Sequence, residues 1–199
     1  MKNYLLIPTV VITLAACGGA DAGNAGAADD GAASQPVVVR AAKSAPPTGP
    51  VTMPHWYDVD HDAKTVRLTI TAGATPDNNY WNFNGHIKGE LAITVPEGYA
   101  VTIDFANDDP IMAHSLGISP ELSNFASPPT LAPVFAGAIT DDAQSMTDAT
   151  MPGETETIQF VADTAGEYSM VCYVAGHTTI GMWLYFNVSG SGEAGVQGL

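Results

Sequence analysis

Cysteine is scarce in this chain of 199 residues, which carries two thiols, Cys17 and Cys172. Their surroundings differ so much that each reads as having a separate task, so no disulfide is expected and an apolar core must hold the fold. Positive charge is scarce too. Six Lys and Arg stand against 21 Asp and Glu, for a formal net charge of −15. From Val51 onward eighteen acids face only Lys64, Arg67 and Lys88, so the imbalance belongs to the folded part. Such a surface repels phosphate backbones and anionic headgroups, which excludes nucleic acid as a partner. Two uses of the acidic excess stay open: steering a basic partner, or keeping the domain soluble in salt or acid. The apolar run from Leu5 to Leu14 covers about ten residues, where a membrane-spanning helix needs about 20. No later stretch carries a convincing amphipathic helical period.

What the chain does have begins with a leader. Lys2 precedes the apolar run, and Leu14-Ala15-Ala16-Cys17 ends it, the pattern of an export signal over residues 1–16. That ending resembles the lipobox of bacterial lipoproteins, which implies cleavage before Cys17 and lipidation of its thiol; an ordinary secretory signal cleaved nearby is the alternative. Either way export is expected, and the resemblance to a lipobox implies a bacterial membrane, with the chain facing the periplasm or cell exterior. Residues 17–50 are rich in Ala, Gly and Asp, then in Val, Ala and Pro, and cannot bury enough apolar surface to offset their chain entropy. They read as a flexible tether, stiffening toward Ala45-Pro-Pro-Thr-Gly-Pro50. A folded domain is expected over 51–190 and a flexible tail over 191–199.

Within the domain the dominant period is two. Lys64-Thr-Val-Arg-Leu-Thr-Ile-Thr-Ala, Glu90 to Val95 and Tyr99 to Ala106 alternate apolar or β-branched with polar residues, and turn signals at Pro96-Glu-Gly98 and Asn107-Asp-Asp-Pro110 separate or end them. Further strands are expected at His114 to Ile118, Glu156 to Ala162, Glu167 to Cys172 and Met182 to Val188. Short strands joined by turns predict an antiparallel Greek-key β-sandwich. Residues 119–152 break the pattern with five prolines and no strand signal. A loop that long is either functional, with Leu131, Val134, Phe135 and Met146 covering the site end, or an insertion packed on its own sandwich.

The chemistry concentrates in Cys172-Tyr-Val-Ala-Gly-His177-Thr-Thr-Ile-Gly-Met182. One loop carries a thiol, an imidazole and a thioether, with Gly176 and Gly181 at its bends. A soft thiolate, a nitrogen donor and a weak thioether together suit copper, which needs a second imidazole to complete a trigonal plane; His114 is the best candidate. Met112, Met146 and Met170 compete with Met182 for the axial place, and Met170 shares a strand face with Cys172. His55, His61 and His86 share no ligand spacing, and His86 reads as structural or surface.

The loop, its lead-in Gly166-Glu-Tyr168-Ser-Met-Val-Cys172, the pair His114-Ser115 and the segment Asn79-Tyr-Trp-Asn-Phe83-Asn-Gly85 resemble the blue copper proteins (cupredoxins) over Thr65 to Ser189. Among these the sulfocyanins are most similar and the rusticyanins next. The resemblance implies one copper ion cycling between Cu(I) and Cu(II), with His114, Cys172, His177 and Met182 as ligands. It implies a hydrogen bond from Ser115 to the cysteine sulfur, a strand Ser bonded only to backbone being the alternative. It implies that Asn84 and Gly85 help a loop pass beneath the copper, and that His177 meets partners through an apolar patch for which Val174, Ala175, Ile180 and Phe135 are candidates. The function implied is that of a monomeric, membrane-tethered electron carrier, not an enzyme. Its donor would be a redox protein such as a quinol-oxidising complex, and its acceptor a cytochrome or terminal oxidase. The multicopper enzymes need a His-Cys-His run and further histidines that this chain lacks, while copper delivery or storage is the alternative to electron transfer.

Overall fold

Alternation becomes architecture in the strand Thr65–Ala72 (β3), where Val66, Leu68, Ile70 and Ala72 are buried and Thr65, Arg67 and Thr69 face solvent. In the computed structural model, which describes residues 45–198, β3 lies in a four-stranded sheet of order β2-β3-β5-β7. Its companions are β2 (Tyr57–Asp60), β5 (Ala100–Asn107) and β7 (Thr155–Val161). A six-stranded sheet faces it, of order β1-β10-β4-β9-β8-β6. Here β1 is Val51–Thr52, β4 Leu91–Pro96, β6 Gly117–Ser119, β8 Gly166–Val171, β9 Trp183–Ser189 and β10 Gly195–Gly198. Between the sheets Leu68, Ile70, Ile93, Ile103, Phe105, Phe160, Met170, Leu184 and Phe186 form one core, each nearly or wholly removed from water. Removing apolar surface from water on this scale is the main drive for closing the sandwich.

The two sheets differ in their outer faces. The outer face of the four-stranded sheet is polar, with Arg67 paired to Asp104 at 2.6 Å. The outer face of the six-stranded sheet carries Ala92, Val171, Tyr173, Trp183 and Tyr185, all buried under Phe125, Ile139 and Ala143 of the long loop. This explains why β9 opens on the apolar run Trp183-Leu-Tyr-Phe186, since both of its faces are covered there. The loop therefore packs on the sandwich. Phe135 enters the inter-sheet core, stacked on Phe160 at 5.3 Å, while Leu131 and Met146 are exposed at 55% and 59% and cover nothing.

Three expectations need correction. The sandwich is mixed rather than antiparallel, because β3 pairs with β5, and β4 with β9, in parallel; period-two patterning says which face a residue takes but not the direction of its neighbour. Residues 195–198 are no flexible tail, since β10 lies between β1 and β4 and seals the edge of the core with Val196. The end of the tether is also ordered: Pro47 is buried and the Gly49 N–H donates to the Gly198 carbonyl at 3.2 Å. The leader, Cys17 and the tether up to residue 44 lie outside the described residues. Among the described residues no helix is long and apolar enough to cross a membrane.

Candidate metal centre

The site forms where β8 ends. Cys172 follows the last residue of β8, and its N–H donates to the Met182 carbonyl at 3.3 Å just before β9 begins. The eleven residues between these strands close on themselves. His177–Ile180 makes a single helical turn (α1) between Gly176 at φ 89° and Gly181 at φ 129°, left-handed values that L side chains rarely tolerate. The Met182 N–H donates to the His177 carbonyl at 3.0 Å, and the Thr178 hydroxyl donates to the Cys172 carbonyl. Residues 113–116 lead into β6 beside this loop. Their register is held from the other side by the long loop: His114 N–H donates to the Thr150 carbonyl, and the Thr140 N–H to the Leu116 carbonyl.

These elements converge on three buried donors. The Cys172 Sγ lies 3.5 Å from His177 Nδ1 and 3.9 Å from His114 Nδ1, and the two nitrogens are 3.1 Å apart. A triangle of those sides has its centre about 2 Å from every corner, close to the ~2.0–2.1 Å bond of a first-row metal to imidazole. Among the described residues this is the one group of three such side chains close enough to share an ion. The side chains of Met170, Cys172 and Met182 all belong to the inter-sheet core. Of the competing thioethers Met146 is exposed and Met112 half-buried; Met170 sits inside β8, whereas the backbone of Met182 is bonded to both Cys172 and His177. The donor set of one soft thiolate, two imidazoles and a nearby thioether fits a type 1 copper ion.

Burial sets the protonation of the site. It lowers His177 to about 3, helped by the adjacent His114 ring. It lowers His114 as well, outweighing the Asp109 carboxylate that pulls the other way. It raises the Cys172 thiol against hydrogen bonds from the backbones of Ser115 and Val174 and from the Ser115 hydroxyl. At neutral pH the metal-free site is thus a neutral thiol beside two neutral imidazoles, and a metal must displace the thiol proton to bind.

Ser115 reaches the sulfur twice. Its N–H donates to Cys172 Sγ at 3.4 Å and its Oγ lies 3.6 Å from the same atom. That Oγ also accepts the Tyr173 N–H at 2.9 Å, which leaves its own proton free for the sulfur. Asp109 holds the far side of His114, with Oδ2 at 2.9 Å from Nε2 and both residues at 1% exposure or less. Sequence reasoning treated Asp109 only as part of a turn; its signal was a carboxylate five residues before a ligand candidate.

The expected exposed edge is absent. His177 is 1% exposed and the Trp81 ring stacks on it, centroids 4.0 Å apart and planes 18° from parallel. Val174 and Phe135 are buried, which leaves Ala175 and Ile180 at the surface. Trp81 is placed by a tight chain reversal with Asn78, Asn79 and Tyr80 at positive φ. The Asn82 side chain pins that turn to the Thr75 and Asp77 carbonyls and to the Gly85 N–H, and Asn84 ties it to β3 through Thr69 and Thr71. His86 lies apart, half-buried and 3.9 Å from Glu90.

A Greek-key sandwich with a Cys-His-His triangle at one end defines the blue copper proteins, a class of electron carriers rather than enzymes. Within that class, residues 53–195 match the model of the Sulfocyanin (SoxE) domain, and the chain belongs to that family. The sulfocyanin of Sulfolobus acidocaldarius is 31% identical over 126 residues, 60% of this chain and 61% of that protein; the chain thus spans about three fifths of that relative's length. Rusticyanin of Acidithiobacillus ferrooxidans is 28% identical over 126 residues, 63% of this chain and 77% of its own. A crystal structure of a rusticyanin variant shares the fold at a TM-score of 0.50 and 24% identity, over 67% of this chain and 87% of the other.

Two outcomes are expected. Ser115→Ala removes the hydroxyl but not the N–H, so the thiolate regains electron density and the midpoint potential of the copper-loaded protein falls; a voltammogram with an unmoved midpoint would separate Ser115 from the sulfur. In the metal-free protein, the unfolded chain protonates its histidines near the ordinary value of 6.5, while the folded chain does so at His177 only near 3. The contribution of neutral His177 is complete above pH 6.5 and is lost as pH falls toward 3. Melting temperatures of metal-free wild type should therefore drop relative to His177→Gln on acidification through that window, whereas parallel curves would contradict it.

Proposed function

We infer that this chain is an exported, lipid-anchored carrier of single electrons, in which His114, Cys172 and His177 hold one copper with Met182 as the weak axial donor. The observation that carries the reading is the buried Cys-His-His triangle, with sides of 3.1, 3.5 and 3.9 Å. Copper held there supplies reversible one-electron exchange between Cu(I) and Cu(II). The protein's part is to keep the donors from moving between the two states: the closed loop, the strand register and the covering Trp81 ring all resist rearrangement, which keeps transfer fast.

Burial also argues against delivery or storage. A metal-handling protein needs donors that a partner can reach, whereas His114 and Cys172 are fully buried and His177 nearly so. An electron passing by way of His177 crosses the Trp81 ring stacked on it. Partners are a quinol-oxidising complex or other redox donor and a cytochrome or terminal oxidase as acceptor, met by the carrier as a monomer; the support is membership of the sulfocyanin family together with the export signal.

The anchor rests on Leu14-Ala15-Ala16-Cys17. A lipidated Cys17 followed by about thirty residues of tether lets the domain sweep a volume above one membrane without leaving it, raising its effective concentration at membrane-bound partners. Replacing the thiol tests this directly. Cys17→Ser should shift the protein from the membrane fraction to the soluble exported fraction and abolish incorporation of labelled fatty acid, with the copper site intact. Retention of Cys17→Ser in the membrane would contradict the anchor.

A further inference from the structure

On the side of His114 away from the sulfur sits a carboxylate that the copper motif does not include. Asp109 is 1% exposed, and each of its oxygens is committed. Oδ1 accepts the N–H of Ile111 at 2.8 Å and that of Met112 at 3.0 Å, while Oδ2 faces His114 Nε2 at 2.9 Å. Its own N–H donates to Asn107 Oδ1 at 2.9 Å, and Asn107 is locked in turn through its Nδ2 to the Met112 and Thr150 carbonyls. The end of β3 makes room for this turn. A Cβ on Gly73, at φ +70°, would come within 2.6 Å of the Asp109 nitrogen and 2.8 Å of its Cα. A buried carboxylate this fully organised, bonded to one ring nitrogen of a metal-ligand candidate, is built for that ring.

We propose that Asp109 is a positioning and tuning residue for copper: it holds His114 as the Nε2–H tautomer, presents Nδ1 to the metal, and lends negative charge that favours the oxidised ion. The first half follows from proton inventory. An ionised carboxylate is an acceptor only, so the nitrogen facing it must carry the hydrogen, and a neutral imidazole then has its lone pair on the other nitrogen. That other nitrogen is Nδ1, the atom 3.1 Å from His177 Nδ1 and 3.9 Å from the sulfur. The second half is electrostatic. A hydrogen bond to carboxylate makes a ligating imidazole more basic, and in a dry site its charge is poorly screened, so Cu(II) gains more than Cu(I). Asp109 therefore pulls the potential down while Ser115, donating to the thiolate, pulls it up.

The proposal rests on His114 being a ligand, and the test separates the two. Asp109→Asn is the sharpest variant, because the N–H groups of Ile111 and Met112 fix its carbonyl at the Oδ1 position and turn its NH2 toward Nε2. In the metal-free wild type at neutral pH, nitrogen NMR of the ring should report hydrogen on Nε2 of His114; in Asp109→Asn it should report hydrogen on Nδ1. On copper loading, the variant should lose about 10–100-fold in affinity and its midpoint potential should rise. Should Asp109→Asn not fold, the wild-type tautomer decides by itself. Hydrogen on Nδ1 in the wild type, or a variant with unchanged tautomer, overturns the positioning role; an unmoved or lowered potential overturns the tuning role. A separate arm, His114→Ala, reports on the ligand assignment: survival of the thiolate-to-copper band there would remove His114 from the metal, whatever tautomer the wild type shows.

Discussion

The controlling constraint is that three donor atoms are held within 4 Å of one another in a place from which water is excluded. Two neutral imidazoles and a neutral thiol so deeply buried contribute little to stability by themselves, because burial disfavours every charged form they would take in water. They are kept there by the structure around them. The sulfur comes from the end of β8, one imidazole from the adjoining run before β6, and the other from a loop closed by its own hydrogen bonds. Since β6, β8 and β9 are neighbours in one sheet, the three positions share one rigid frame. Interdigitated cores resist small displacements, and the site inherits that stiffness.

The long loop also takes on meaning from this frame. It covers the outer face of β8 and β9, braces His114 and Leu116 through Thr150 and Thr140, and lends the Ser127 hydroxyl to the Gly176 N–H at 3.0 Å. It acts as a clamp on the strands that carry the donors. The turn from Asn78 to Asn84 has the corresponding part on the other side, setting Trp81 over His177.

Much of this was legible in the chain. Cys172, His177 and Met182 at fixed spacing carry their chemistry in sequence, because one loop supplies all three. His114 was legible only as the best candidate for a second imidazole, since fifty-eight positions separate it from Cys172 and no spacing ties the two together. Strands β3, β5, β7, β8 and β9 were readable within a residue or two from alternation or from apolar runs. Direction was not: side-chain period is the same in parallel and antiparallel neighbours, so the β3/β5 and β4/β9 pairings had no signature. The strand β10 was missed because Gly195-Val-Gln-Gly198 has one buried large side chain to show. Asp109 was hidden for another reason, since Asn107-Asp-Asp-Pro110 satisfies a turn reading completely. Trp81 was visible as part of a motif, but stacking on His177 depends on left-handed backbone at Asn78, Asn79 and Tyr80, which side-chain pattern does not encode.

All of these features serve one arrangement, a thiol and two imidazoles placed close enough to share a single ion. The most direct measurement is the visible and electron paramagnetic resonance spectrum of the copper-loaded domain, together with its copper content. An intense thiolate-to-copper band, narrow hyperfine splitting and a single copper per chain are the predicted result. A colourless cupric protein, or one whose copper leaves Cys172 free to react with a thiol reagent, would contradict it.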